Sequence, residues 1–414
     1  METVSKPGTL PQAKTGRPRA AAAQAAVAAA TVASTPPPVV IYLPGLPTGN
    51  SGKDLAKALA DDAGQGPGKF TVETVAVPSK RLADCSRIVK DGKTPVLDVC
   101  TLDYRPGLRL AEITGSGTGA AVRRFAAALR TFVRAASLLL PARKRAKAKG
   151  GTAKFQLFLG LLAVLVLLLS VLITGFAVLV SIGLLREPAP INGSLADAIA
   201  IGATALSVYL LVRVRPAVRE SSRVLEELLE YVNDQRRAAS VGRTLGPALD
   251  DLLESPHPRE TIHIVGYSLG SLVAIDYLFP PSSLHMIPDE RLKAVTSLVT
   301  VGCPLDLVRL YLPNFAENRD ERVSALAWTN IFIPADVLGS NFLDNADKEV
   351  RDAGTPAGAL GPSKKRPTSL RYTDVELTFG NAWTRTGFRT HSQYWRTETQ
   401  HGCSALVAGA IGLC

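Results

Sequence analysis

The sequence predicts an α/β protein: a mostly parallel sheet covered by helices and interrupted by a two-helix transmembrane hairpin. Three observations carry that expectation. Short β-branched runs alternate with segments of helical periodicity, as they do when strands are connected through helices. One uncharged apolar stretch is far longer than a core helix, and a shorter one follows it. Hydrophobic residues are 46% and charged residues 20% of the 414, with a mean hydropathy of +0.15. That balance excludes a wholly disordered chain.

The order of elements follows from local pattern. An Ala-rich run from Ala20 to Ala33 and the prolines Pro36 to Pro38 make residues 1–38 a low-complexity tail, expected to be disordered. Val39 to Leu43 (VVIYL) reads as a buried strand, followed by the turn Pro44-Gly45-Leu46-Pro47 and a helix from Gly52 to Asp62 that Ser51 can cap. Further strands are expected at Phe70 to Val77, Val96 to Asp103, Thr261 to Val265, Val295 to Val301, Ala327 to Ile333 and Asp374 to Phe379. Helices are expected around Ala120 to Leu140, Ala217 to Leu253 and Leu269 to Leu278, and an exposed loop from Asp352 to Pro367. Residues 39–140 and 215–414 thus form two parts of one α/β domain, separated by residues 141–214.

That separating segment is expected to meet the membrane. No ionisable residue occurs between Phe155 and Leu185, and at 1.5 Å per residue the stretch exceeds the roughly 30 Å hydrocarbon core. A second apolar stretch, about 191–212, carries one charge, Asp197. Of the 47 Lys and Arg, 24 lie in residues 1–154, against 10 of the 36 Asp and Glu, so the net charge of +11 is concentrated before the first span. From Ile113 to Lys154 there is no acid at all. A basic run beside an apolar span selects an anionic lipid surface over nucleic acid. Arg213, Arg215, Arg219 and Arg223 follow the second stretch, whereas the connection from Arg186 to Ser194 holds a single Arg. The positive-inside rule then places the α/β domain and both termini in the cytoplasm, with two spans. The five cysteines form no CxxC pair and leave at least one thiol unpaired, which fits a reducing compartment.

The chemistry centres on Gly266-Tyr267-Ser268-Leu269-Gly270, between the strand Thr261 to Val265 and a helical run beginning at Ser271. A serine at a tight strand-to-helix turn needs small neighbours, and the turn lifts its Oγ above the sheet at the positive end of a helix. With strand before and helix after, the motif is a nucleophile elbow. On these residues the chain resembles the α/β-hydrolase superfamily, its lipase- and esterase-like members above all, over about Val39 to Cys414 with the hairpin removed.

The resemblance implies an acid and a histidine later in the chain, each at the end of a strand. His257 and His263 precede the serine and His285 comes too early, which leaves His391 and His401. His391, in Thr390-His391-Ser392-Gln393-Tyr394-Trp395, resembles the histidine loop of lipase-like hydrolases and is the expected base. Trp328-Thr329-Asn330 and Pro334-Ala335-Asp336-Val337 resemble the W-x-N strand and Asp-Pro-Val turn of the same proteins, with Val337 in place of proline. The acid expected is Asp336, with Asp344 in reserve. Leu269 and Leu46 would supply the backbone N–H groups of an oxyanion hole. Thr300 to Leu305 resembles the Gly-Ser-Pro-Leu turn of lipases, with Cys303 at the serine position and no chemistry assigned to it.

Gly49-Asn50-Ser51-Gly52-Lys53-Asp54 has a Gly-Lys pair, but a phosphate-binding loop needs a glycine where Pro47 stands and a hydroxyl where Asp54 stands. The function expected is a membrane-anchored serine hydrolase cleaving a carboxylic ester, of a lipid by location and analogy, through Ser268, His391 and Asp336. It calls for no metal and no cofactor. The alternative is a non-catalytic membrane scaffold that keeps the fold to bind a lipid or a partner, against which stands the intact order of serine, acid and histidine.

Overall fold

The computed structural model describes residues 36–45, 51–64, 68–104, 244–255, 258–280, 289–312, 326–334, 338–342, 371–376 and 402–413. It also describes Ala126, Arg130, Ser137, Leu165, Leu172, Glu227, Leu228, Glu230, Tyr231, Val232, Val241, Phe315, Arg319, Asp336, His391, Tyr394 and Trp395. The chain divides into Met1–Pro36 and Pro37–Cys414, and the fold is that of the second unit. The tail up to residue 35 lies outside the described residues. So do both expected spans, apart from Leu165 and Leu172, two exposed helical residues. Among the described residues no helix is long and apolar enough to cross a membrane.

Eight strands form one sheet in the order β2-β3-β4-β1-β5-β6-β7-β8. They are β1 (Val39–Leu43), β2 (Phe70–Thr74), β3 (Leu82–Lys90), β4 (Thr94–Leu102), β5 (Ile262–Tyr267), β6 (Val295–Val301), β7 (Ala327–Phe332) and β8 (Arg371–Glu376). The pairs β2/β3 and β3/β4 are antiparallel; β4/β1, β1/β5, β5/β6, β6/β7 and β7/β8 are parallel. The chain is therefore α/β with a mostly parallel sheet, as expected, extended at one edge by an antiparallel meander. The described helices are α1 (Gly52–Ala63), α2 (Leu245–Leu253), α3 (Leu269–Leu278), α4 (Asp289–Ala294), α5 (Leu305–Tyr311) and α6 (Cys403–Ala410).

β1 is buried along its whole length, because a central strand of a parallel sheet has helices on both faces. Val39, Ile41 and Leu43 join the core beneath α2 and α3, while Val40 and Tyr42 join the core beneath α1 and α6. Each such aliphatic side chain contributes about 1.5–3 kcal/mol by leaving water. α1 begins where Ser51 and Asp54 form a reciprocal capping box, Ser51 N–H donating to Asp54 Oδ2 at 2.8 Å and Asp54 N–H to Ser51 Oγ at 3.3 Å. The carboxylate that spoils a phosphate loop is thus the residue that starts the helix. Asp98 in β4 is 2% exposed and accepts from Arg87 Nε of β3 and from Arg259 Nη2, each at 2.7 Å. Arg259 Nη1 also donates to Pro37 O at 2.6 Å, fastening the entry to β1.

Three differences from the expected pattern have physical reasons. β3 was not expected: bulges between Leu82 and Asp84 and between Ile88 and Val89 break its alternation, so that Cys85 and Ser86, and again Ile88 and Val89, are buried as neighbours. The helix expected over Ala217 to Leu253 is interrupted by a turn at Thr244, whose N–H and Oγ1 donate to Val241 O. The third concerns the cysteines. Cys85 and Cys100 stand opposite each other in the antiparallel β3/β4 ladder, with Cα atoms 4.1 Å apart, and form a disulfide. Disulfides persist in oxidising compartments, so cysteine usage no longer argues for a reducing one. Cys303 and Cys403 are free and buried.

The disulfide spans 15 residues, and closing a loop of that length in the unfolded chain is worth about 3 kcal/mol. Replacing both cysteines by alanine is expected to lower unfolding free energy by about that amount, measured by urea denaturation. Dithiothreitol should do the same to the native chain and nothing to the double variant.

Candidate active site

The site lies at the C-terminal ends of β5, β6 and β7, where the parallel strands of the sheet deliver their loops to one edge. Ser268 stands between the last residue of β5 and the first of α3, with φ 54° and ψ −123°. This is a region that non-glycine residues rarely adopt, and the surrounding packing must enforce it. A Cβ on Gly270 would lie 2.1 Å from Leu43 O, and one on Gly266 2.6 Å from Ser271 Cα. Backbone against backbone leaves nothing to move, so both motif glycines are dictated by the close passage of α3 over β1 and β5. Ser268 N–H donates to Val301 O at 2.8 Å and Ser271 N–H to Ser268 O at 3.0 Å, which ties the turn to β6 and to its own helix.

The serine Oγ is 2.6 Å from His391 Nε2, and His391 Nδ1 is 2.8 Å from Asp336 Oδ2. Ser268, His391 and Asp336, which stand far apart in sequence, are thus one hydrogen-bonded chain, exposed by 2%, 6% and 0%. The partners fix the tautomer. A carboxylate only accepts, so Nδ1 carries the proton and Nε2 is left to accept from the serine. Asp336 Oδ1 accepts from Leu338 N–H at 2.9 Å, and Tyr394 O–H donates to Oδ2 at 2.9 Å. Tyr267, the residue before the serine, stacks on the His391 ring with centroids 5.3 Å apart and donates its O–H to His391 O.

The loop that carries Asp336 is anchored from below. Thr300 Oγ1 of β6 donates to Asn330 Oδ1 at 2.8 Å and accepts from Trp328 Nε1 at 3.0 Å; Asn330 Nδ2 donates to Ser340 O at 2.7 Å. The tryptophan and asparagine two residues apart on β7 thereby set where the strand ends and the acid loop returns.

The other expected residues are placed as follows. Leu269 opens α3 directly after Ser268 and is 2% exposed. Leu46, Asp344 and His401 lie outside the described residues. Gly45, just before Leu46, does reach Ser268: a Cβ there would lie 2.6 Å from Ser268 Cβ, so the chain at Gly45 passes directly beside it. Cys303 is fully buried, and burial pushes its thiol well up, leaving it protonated. His263 is inside β5 with Nδ1 2.7 Å from Ser297 Oγ, and burial lowers it to about 4, which makes it a neutral packing residue. Sequence reasoning did not assign Tyr267 or Tyr394 a part in the site. The signal for Tyr394 was present in the His-x-x-Tyr spacing, but only the fold shows that its phenol reaches the acid.

Among the described residues no group of three or more His, Cys, Asp or Glu is arranged to hold a metal ion. Compared with family models, with curated proteins and with solved structures, the chain matches none.

Proposed function

We propose that this chain is a membrane-anchored serine hydrolase of α/β-hydrolase fold that cleaves a carboxylic ester, of a lipid in the bilayer that holds it. The observation that carries the reading is the buried chain from Ser268 Oγ through His391 to Asp336, with the serine held at φ 54°. In the reaction His391 Nε2 takes the Ser268 proton as Oγ attacks the ester carbonyl, and Asp336 stabilises the imidazolium that forms. The oxyanion is taken up by Leu269 N–H and by Leu46 N–H, the donors expected from the sequence. Collapse expels the alcohol, which takes the proton from Nε2, and water activated by the same nitrogen releases the acid from the acyl-serine. The cheapest test is a fluorophosphonate probe on the full chain in detergent: one equivalent bound at Ser268 supports the reading, and no labelling removes it in favour of a scaffold.

Strand order bears on the proposed topology. β1 lies before the apolar segment and β5 after it, and the two are neighbours, Val39 opposite Ile262. Chain that leaves β4 and returns through α2 to β5 must end on the side where it began, so it crosses the membrane an even number of times or not at all. The basic flanks favour the cytoplasmic side; the disulfide favours the opposite one. An impermeant maleimide on intact cells is expected to modify Asn192→Cys and spare Gly64→Cys and Gly361→Cys. The inverse pattern would move the α/β domain to the oxidising side. Labelling that separates Gly64→Cys from Gly361→Cys would refute a single sheet.

A further inference from the structure

We propose that Tyr394 is a positioning residue for the hydrolytic reaction, its phenol holding Asp336 Oδ2 on His391 Nδ1 and setting how much negative charge the histidine feels. The inference rests on the serine hydrolase reading. Tyr394 is fully buried, and its oxygen accepts from Ile333 N–H at 3.0 Å. A phenol has one proton, so with an amide donor on one side the proton points to Asp336 Oδ2, 2.9 Å away. The same carboxylate oxygen accepts from His391 Nδ1. Two donors converge on one oxygen while Leu338 N–H holds the other, and the carboxyl plane has no freedom left.

The space for the phenol is built into two glycines. Gly302, at φ 55°, would with a Cβ stand 2.8 Å from Tyr394 Cε2 and 3.2 Å from His391 Cε1. Gly339 would stand 2.9 Å from Tyr394 Oη and 3.1 Å from Asp336 Oδ2. Burial, and then the Asp336 charge, push the Tyr394 phenol well above its ordinary range, so it stays a donor across the working pH. Among the described residues, the titratable groups facing the His391 ring are Asp336 from the loop after β7, Tyr267 from the end of β5 and Tyr394 from its own segment.

A donor on the carboxylate disperses its charge, and removing it makes Asp336 a stronger partner for the protonated imidazole. Tyr394→Phe takes away one of the bonds that hold the carboxyl plane on His391 Nδ1, and is expected on that ground to lower kcat for an activated ester, p-nitrophenyl butyrate, by about tenfold, the scale of one hydrogen bond to a charged group. KM should stay the same, because Tyr394 does not touch substrate, and the acid limb of the pH–rate profile should move to higher pH. 3,5-Difluorotyrosine at position 394, a stronger donor of the same shape, should move that limb the other way. Rates are counted per fluorophosphonate-titrated serine, so loss of folded protein does not enter. In the Asp336→Asn background Tyr394→Phe should add little.

Unchanged kcat and an unmoved limb in both replacements, or a full tenfold loss in the Asp336→Asn background, would overturn the proposal. If the wild type neither labels nor turns over, the hydrolase reading fails by itself. The low-field imidazole proton of His391 in the NMR spectrum then still decides for Tyr394: it should shift in both Tyr394 replacements, and a fixed resonance would end the positioning role.

Discussion

Ser268→Ala and His391→Ala are each expected to lower ester hydrolysis by about 10⁴-fold or more, and the double variant is expected to be little worse than either. The reason is that the two side chains act as one unit. Without Oγ there is no acyl-enzyme, and the imidazole at 2.6 Å has no proton to take; without the imidazole the hydroxyl is a poor nucleophile at neutral pH. What survives is the effect of binding and of the N–H groups beside the nucleophile, which neither change touches. Folding should be preserved in Ser268→Ala, since alanine fits the space, although the backbone still has to hold φ 54°. Initial rates per mole of protein measure the loss, and circular dichroism checks that each variant is folded. Full activity in Ser268→Ala would remove the mechanism, whatever the geometry.

The legible parts of this protein were those in which a local constraint leaves a local trace. The elbow is one: Gly270 must clear Leu43 O by more than any side chain allows, so the sequence carries glycine there. The buried central strands are another, since β1, β5 and β6 are packed on both faces, and β1 reads as an unbroken apolar run while β5 and β6 read as β-branched and aliphatic runs with few polar residues. Elimination among five histidines leaves His391 and His401, and the resemblance of the residues around His391 to the histidine loop of lipase-like hydrolases decides between them; the same resemblance, with the position at the end of a strand, selects Asp336 over Asp344. What escaped depends on pairing across distance. β3 hides its two bulges until its partner is known, and the Cys85–Cys100 bond exists only because the register of β3 on β4 sets those two residues opposite. Tyr394 looked like one aromatic in an aromatic pair, and its contact with Asp336 is made over 58 residues of chain. The apolar stretches at 155–185 and 191–212 are legible in composition alone; among the described residues the fold bears on them only through the adjacency of β1 and β5, one before and one after them in the chain.

Asp336→Asn is expected to lower kcat by about 10⁴-fold at neutral pH, whereas Asp344→Asn should leave it nearly unchanged. Leu338 N–H donates to one carboxyl oxygen of Asp336, and an asparagine must present its carbonyl there to keep that bond. Its amide nitrogen then occupies the place of Oδ2 and donates to His391 Nδ1. The proton of the imidazole is driven to Nε2, where it faces the serine hydroxyl and cannot accept from it. Turning the amide over restores the histidine but sets two donors, Leu338 N–H and the amide NH₂, against each other in a fully buried site, which costs about 1–3 kcal/mol. The first arrangement leaves no base, and the second adds to its cost the loss of the negative charge that stabilises the imidazolium, so the loss is chemical and should appear in kcat with little change in KM, while fluorophosphonate labelling of Ser268 slows in parallel. His401→Ala serves as the companion control and should be close to silent. Should Asp344→Asn prove the damaging change and Asp336→Asn the mild one, the acid moves to Asp344 and the contact at 2.8 Å between His391 and Asp336 becomes a packing contact, with the elbow left as it stands.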